Sequence, residues 1–171
     1  MKKLVAMISA FFGLSSNGGQ PQASPHELNY DNLIHLDAED LAEQGIKEAY
    51  EQIKIKLKIY IEKPAEIIEK LDNNIPSYSV VSGGKNYEIY GSGLADGEGR
   101  SWGRAAYVLF NIVNEQLKDQ KVKFYAINGG NDLGGMFLTE EEYNEAIKSL
   151  ERKSDWPYIP TLEHPWYGQA N

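Results

Sequence analysis

The chain has 171 residues and no cysteine, and it carries a net charge of −8 from 25 acidic against 17 basic residues. Without thiols, a disulfide framework, thiolate zinc sites and cysteine nucleophiles are excluded. The acid excess works against nucleic acid and anionic membranes, because affinity for phosphates comes from Lys and Arg; it suits a basic protein partner, and it also serves solubility alone.

Lys2 and Lys3 precede an apolar run from Leu4 to Leu14 broken only by Ser9 and Gly13. The run has the length of the apolar region of an export leader and is too short to span a bilayer. Neither cleavage position offers the usual small residue, since Ala23 follows Pro21 and Ser16 follows Leu14 in that place. Residues 1–25 therefore read in two ways. They are an export signal ending near residue 23, with a periplasmic product, or a docking segment on the flexible stretch Ser15–Pro25 of a cytoplasmic protein. Residues 26–171 form one α+β domain, long enough to bury a core, and no other segment has a transmembrane pattern.

Asp37 reads as an N-cap with Asp40 three positions on. From Ala38, the apolar residues Leu41, Ala42, Ile46, Ala49, Tyr50, Ile53, Leu57 and Ile61 recur at steps of three and four, predicting a long amphipathic helix that ends before Pro64. Gly45 marks a bend in it. The run Ile53 to Ile59 also alternates with period two, which leaves a strand open there. A short helix over Ala65 to Leu71 is expected next.

Pro76 to Val81 and Asn86 to Tyr90 then read as strands joined by a tight turn at Gly83-Gly84. Ser101 caps a helix with Trp102, Ala105, Ala106, Leu109, Val113 and Leu117 on one face. The pattern recurs: Val122 to Ile127 is a strand, Asn128 to Asp132 a Gly-rich turn, and Gly134 to Leu138 its partner. Thr139, with Glu142 at the third helical position, caps a last helix carrying Tyr143, Ala146, Ile147 and Leu150. The fold expected is α+β, with two hairpins in tandem ββα units merging into one antiparallel sheet of about four strands and helices on one face. The tail over 155–171 is rich in Pro and aromatics, so it is extended and either wraps the body or presents a surface.

The loop Gly91 to Ser101 lies between a strand and a helix, where phosphate-binding loops occur, but Asp96 stands where a third glycine of that motif would be. Asp96, Glu98 and Asp132 lie in Gly-rich loops where turns favour them anyway; together they could hold a hard cation or do acid/base work. Arg100 and Arg104 either bind an anion or pair with acids on the surface. His35 and His164 have no nucleophile partner in any motif, and no cofactor is called for.

In size, acidity, lack of cysteine and ββα arrangement, the chain resembles the small α+β immunity proteins with which bacteria neutralise polymorphic or contact-delivered toxins. The run Tyr125-Ala126-Ile127-Asn128-Gly129-Gly130-Asn131-Asp132-Leu133-Gly134-Gly135-Met136-Phe137 has the look of a family signature, though no functional residue carries over from it. That resemblance implies a non-catalytic protein that plugs a basic toxin. Its contacts would come from Asp96, Glu98, Arg100 and Asp132 in the loops and from Trp156, Tyr158, Trp166 and Tyr167 as aromatic anchors. The alternative is a small hydrolase or transferase using the loop carboxylates, with or without a divalent metal. Monomer and dimer through an exposed sheet edge are both open.

Overall fold

The computed structural model describes residues 28–94 and 100–163. It is an α+β fold with two separate three-stranded antiparallel sheets. In chain order the elements are β1 (Ile34–His35), α1 (Ala38–Asp40), α2 (Ile46–Leu57), β2 (Ile67–Asp72), β3 (Ser77–Ser82), β4 (Lys85–Tyr90), α3 (Ser101–Gln116), β5 (Val122–Ile127), β6 (Gly134–Thr139) and α4 (Glu140–Ser149). One sheet has the order β1-β6-β5, the other β2-β3-β4. The single four-stranded sheet expected from the sequence does not form, because β2 and β1 each extend a different strand pair.

β2 replaces the short helix expected at Ala65 to Leu71. Ala, Glu, Lys and Leu favour a helix there, but tertiary pairing overrides propensity. Ile67 is buried, and every residue from Ile67 to Asp72 faces a β3 partner. The helical run from Ala38 is likewise broken. Glu43 and Gln44 leave helical geometry, Gln44 at φ 80°, so α1 and α2 meet at an angle. Gly45 is needed at that break, since a Cβ there would stand 2.6 Å from the Asp40 carbonyl oxygen. The period-two run at Ile53 lies in α2 and the turn after it, which leaves Ile55 and Ile59 exposed by 74% and 75%.

α3 touches both sheets, packing on β4 and on β5. It is buried on more than one stripe, with Val108, Phe110 and Ile112 inside as well as Ala105, Leu109 and Val113. A helix apolar all round belongs in a core. Trp102, expected on its buried face, is instead 42% exposed, and Arg104 is buried. Arg104 Nε donates to the Ile89 carbonyl at 2.6 Å. The register of β3 and β4 shifts there, from Tyr78 opposite Tyr90 to Ser79 opposite Glu88, leaving Ile89 as the extra residue of a bulge. The arginine satisfies a carbonyl that the ladder leaves over.

Helices also do not keep to one face. The β1-β6-β5 sheet is covered on both sides, by α3 over Phe124 and Ala126 and by α4 with Leu28 over Tyr125, Ile127, Met136 and Leu138. Phe124 stacks on Phe110 with centroids 4.7 Å apart and meets Phe137 at 4.7 Å. The sheet's outer edge is sealed. The Asn114 amide donates to the Phe124 carbonyl and accepts from its N–H, both at 2.8 Å. Two residues on, Ala126 exchanges backbone bonds with Tyr158.

Candidate functional site

A groove of about 640 Å3 lies where β1, α1 and the break before α2 meet the turn Gly130–Asp132. Asp37, Asp40, Glu43 and Glu48 line it with His35 and Asn131, and no Lys or Arg does. Each wall has a local cause. Asp37 caps α1, its Oδ1 accepting the Glu39 N–H at 2.8 Å. The break at Gln44-Gly45 turns Glu43 and Glu48 to the same opening. Asn131 Nδ2 donates to Glu39 Oε2 at 3.0 Å, and the Leu36 N–H donates to the Leu133 carbonyl at 2.8 Å, fixing the far wall.

Asp37 has a capping task, but Asp40, Glu43 and Glu48 are exposed, and no hydrogen bond or ion pair among the described residues uses the Glu43 or Glu48 carboxylate. Crowding unpaired carboxylates in one depression makes a negative field that attracts cations and basic side chains. A shallower depression shares Gln44, Glu48 and Gln52 and adds Glu51, Lys47, Glu69 and the exposed Ile55. The acidic groove therefore runs onto a helix face that carries apolar surface. A smaller cleft of about 430 Å3 between Leu28 and α4 also has carboxylates: Glu142 is bonded to Thr139 in the capping box and Glu145 to Lys148, which leaves Glu141 as its one carboxylate without a bond among the described residues.

Of the residues expected at the site, Asp132 is exposed in the turn, next in sequence to Asn131, which lines this groove. Tyr158 reaches the base of the same turn, its hydroxyl donating to the Asn128 carbonyl at 2.7 Å. Trp156 Nε1 donates to the Leu150 carbonyl at 3.0 Å, with Lys153 over the ring. Both tail aromatics are thus tied to the body, and Pro157 and Pro160 beside them are buried. Arg100 stands at the N-cap of α3. Asp96, Glu98, Trp166 and Tyr167 lie outside the described residues, as do His164 and the apolar segment over residues 4–14.

Sequence reasoning passed over Glu43, Glu48 and Ile55. Their signals were present: a glycine inside a helical pattern, and an isoleucine off the apolar stripe. Among the described residues, no helix is long and apolar enough to cross a membrane, and no group of three or more His, Asp or Glu side chains is placed to hold a metal ion. Comparison with protein-family models, curated proteins and solved structures found no match.

Burial pushes the Tyr158 phenol up to about 12, and burial together with the Glu115 hydrogen bond does the same to Tyr87. Tyr50, Tyr78 and Tyr125 are raised as well, mainly by burial. A phenol whose folded pKa is raised adds stability that is complete below the ordinary tyrosine value and is lost as pH climbs through the folded one. Stability should therefore fall as pH climbs above about 10. Urea titrations across the alkaline range test this. Tyr158→Phe should flatten the decline, and an unchanged slope would remove Tyr158 from the account.

Proposed function

We propose that this chain is a non-catalytic binding protein of the bacterial immunity type, which neutralises a basic toxin by receiving part of it in the acidic groove. One observation carries the reading: four carboxylates line a single groove without a Lys or Arg among them. Two others agree with it. The whole chain has a charge of −8, which speeds encounter with a basic partner. Beside the groove, Ile55 is 74% exposed, supplying the apolar contact that charge alone lacks. The docking residues are then Asp40, Glu43, Glu48 and Ile55, with Asp132 next in sequence to Asn131.

The test is capture from the native host with tagged full-length protein at low and high salt, read by mass spectrometry. A single basic protein should be retained. Glu43→Lys with Glu48→Lys should weaken its capture by about a hundredfold, at roughly tenfold for each reversed charge. Both positions are exposed, but Glu48 lies in the first turn of α2, where a lysine opposes the helix dipole, so the doubly substituted chain should be less stable by only about 1 kcal/mol. A partner held equally well by this variant would remove the groove from the interface, and an empty capture at both salt levels would dismiss the stable-complex reading.

A further inference from the structure

The two sheets treat their edges differently. The outer edge of β5 is sealed by Asn114 and Tyr158, whereas β2 has β3 on one side and, among the described residues, no strand on the other. Which β2 residues face outward follows from the neighbouring hairpin. Ser82 and Lys85 flank a two-residue turn at Gly83-Gly84, both with positive φ, so they are a hydrogen-bonded pair and Ser82 aims its backbone groups at β4. By alternation, Val81, Ser79 and Ser77 aim theirs at β2, where they meet Ile68, Lys70 and Asp72. Ile67, Glu69 and Leu71 therefore turn their N–H and C=O groups outward. No backbone bond outside the sheet engages them among the described residues. An edge in this condition is a template for another strand.

α2 stands over the first part of this edge. Tyr50 Oη donates to the Ala65 carbonyl at 2.7 Å, Lys54 pairs with Glu66 at 2.7 Å, and the Lys47 N–H donates to Glu69 Oε1 at 2.9 Å. Past Glu69 the edge is open: Lys70, Leu71 and Asp72 are exposed, Leu71 by 46%. We propose that this open edge pairs with itself. β2 of a second copy adds antiparallel about a two-fold axis through Leu71, joining two three-stranded sheets into one of six strands.

Charge selects that register. Centred on Leu71, Lys70 of each copy faces Asp72 of the other, twice over, in the closely spaced pairs where opposite charges interact best. On the other face, Leu71 meets Leu71. Centred one or two residues earlier, the same edge would set Lys70 against Lys70 or Glu69 against Glu69, and like charges directly opposed are destabilising. Asp72 uses Oδ1 to accept the Asn74 and Ile75 N–H groups, which leaves Oδ2 for the lysine. The contact is short, so the dimer is weak and depends on concentration. It is independent of the acidic groove, and neither proposal's failure touches the other.

Sedimentation velocity over a broad concentration range tests it. The unaltered chain should shift from monomer to dimer as concentration rises. Lys70→Glu and Asp72→Lys each bring like charges together and should weaken the dimer by about tenfold. Mixing the two variants restores opposite charges at both positions of the mixed dimer, and affinity should return to that of the parent, which no general loss of folding could mimic. Asp72→Lys also removes a turn cap, so Leu71→Arg, which spares the cap, supplies a second disruption, with circular dichroism melts to verify the fold. A parent chain that is monomeric throughout overturns the proposal. So does a dimer indifferent to these variants, or a mixture no tighter than either variant alone.

Discussion

A Gly135→Ala chain is expected to lose about 2–3 kcal/mol of folding stability, a large effect for one added methyl. Gly135 is buried in β6 opposite Ala126, and a Cβ there would overlap the ring of Phe124. That ring has nowhere to go. Phe110 stacks on it and Phe137 lies against it, each with centroids 4.7 Å away. Interiors packed at crystal density do not absorb such an insertion by small adjustments. The neighbouring Gly134 makes the comparison: a Cβ there meets the end of the Leu33 side chain at 2.7 Å, and that side chain can rotate. Gly134→Ala should therefore cost less than about 1 kcal/mol. Urea titration measures both. In the Gly135→Ala background, Phe124→Leu should cost less than it does alone, because the two sites share one space. A Gly135→Ala chain with the parent's midpoint would mean that Phe124 is not held as described.

The second large loss is expected at Asn114. Its amide closes the edge of β5 by bonding both backbone groups of Phe124, a residue with no exposed surface. Asn114→Ala strands a buried N–H and a buried carbonyl, each costing about 1–3 kcal/mol, so a total of about 2–4 kcal/mol is expected. Asn114→Asp should fare little better, since it keeps the acceptor and loses the donor. Hydrogen exchange separates this from a general loosening. The Phe124 amide should lose protection more than that of Ala126, which Tyr158 bonds independently. Equal loss at both would show that the edge opens as one unit.

Much of the local structure was legible in the sequence. The Gly83-Gly84 turn has two residues at positive φ, as its composition demands, and the Thr139–Glu142 capping box is present in full. Gly45 marks a break for a steric reason that its place inside a helical pattern already suggested. Sheet membership was not legible. β2 has helix-forming composition and becomes a strand only because β3 offers a ladder and the core takes Ile67, neither of which a local window contains. β1 is two residues long and has no periodicity to read. The groove was missed for a related reason: Asp40, Glu43 and Glu48 look like ordinary solvated helix residues until the break at Gln44 turns them toward Asn131. Tyr158 and Trp156 were open between packing on the body and anchoring a partner, and their polar atoms bond the chain's own carbonyls.

The acidic groove rests on a division of labour within a few residues. Asp37 and Asn131 hold its walls, while the carboxylates of Glu43 and Glu48 stand clear of every hydrogen bond and ion pair among the described residues. Mutation at the two glutamates therefore costs folding little, the main loss being the favourable charge of Glu48 in the first turn of α2. A lineage can replace them, reverse them or move a charge by one helical turn while the scaffold stays as it was. On the proposed reading, recognition is free to diverge quickly among close descendants, and the wall residues should change last.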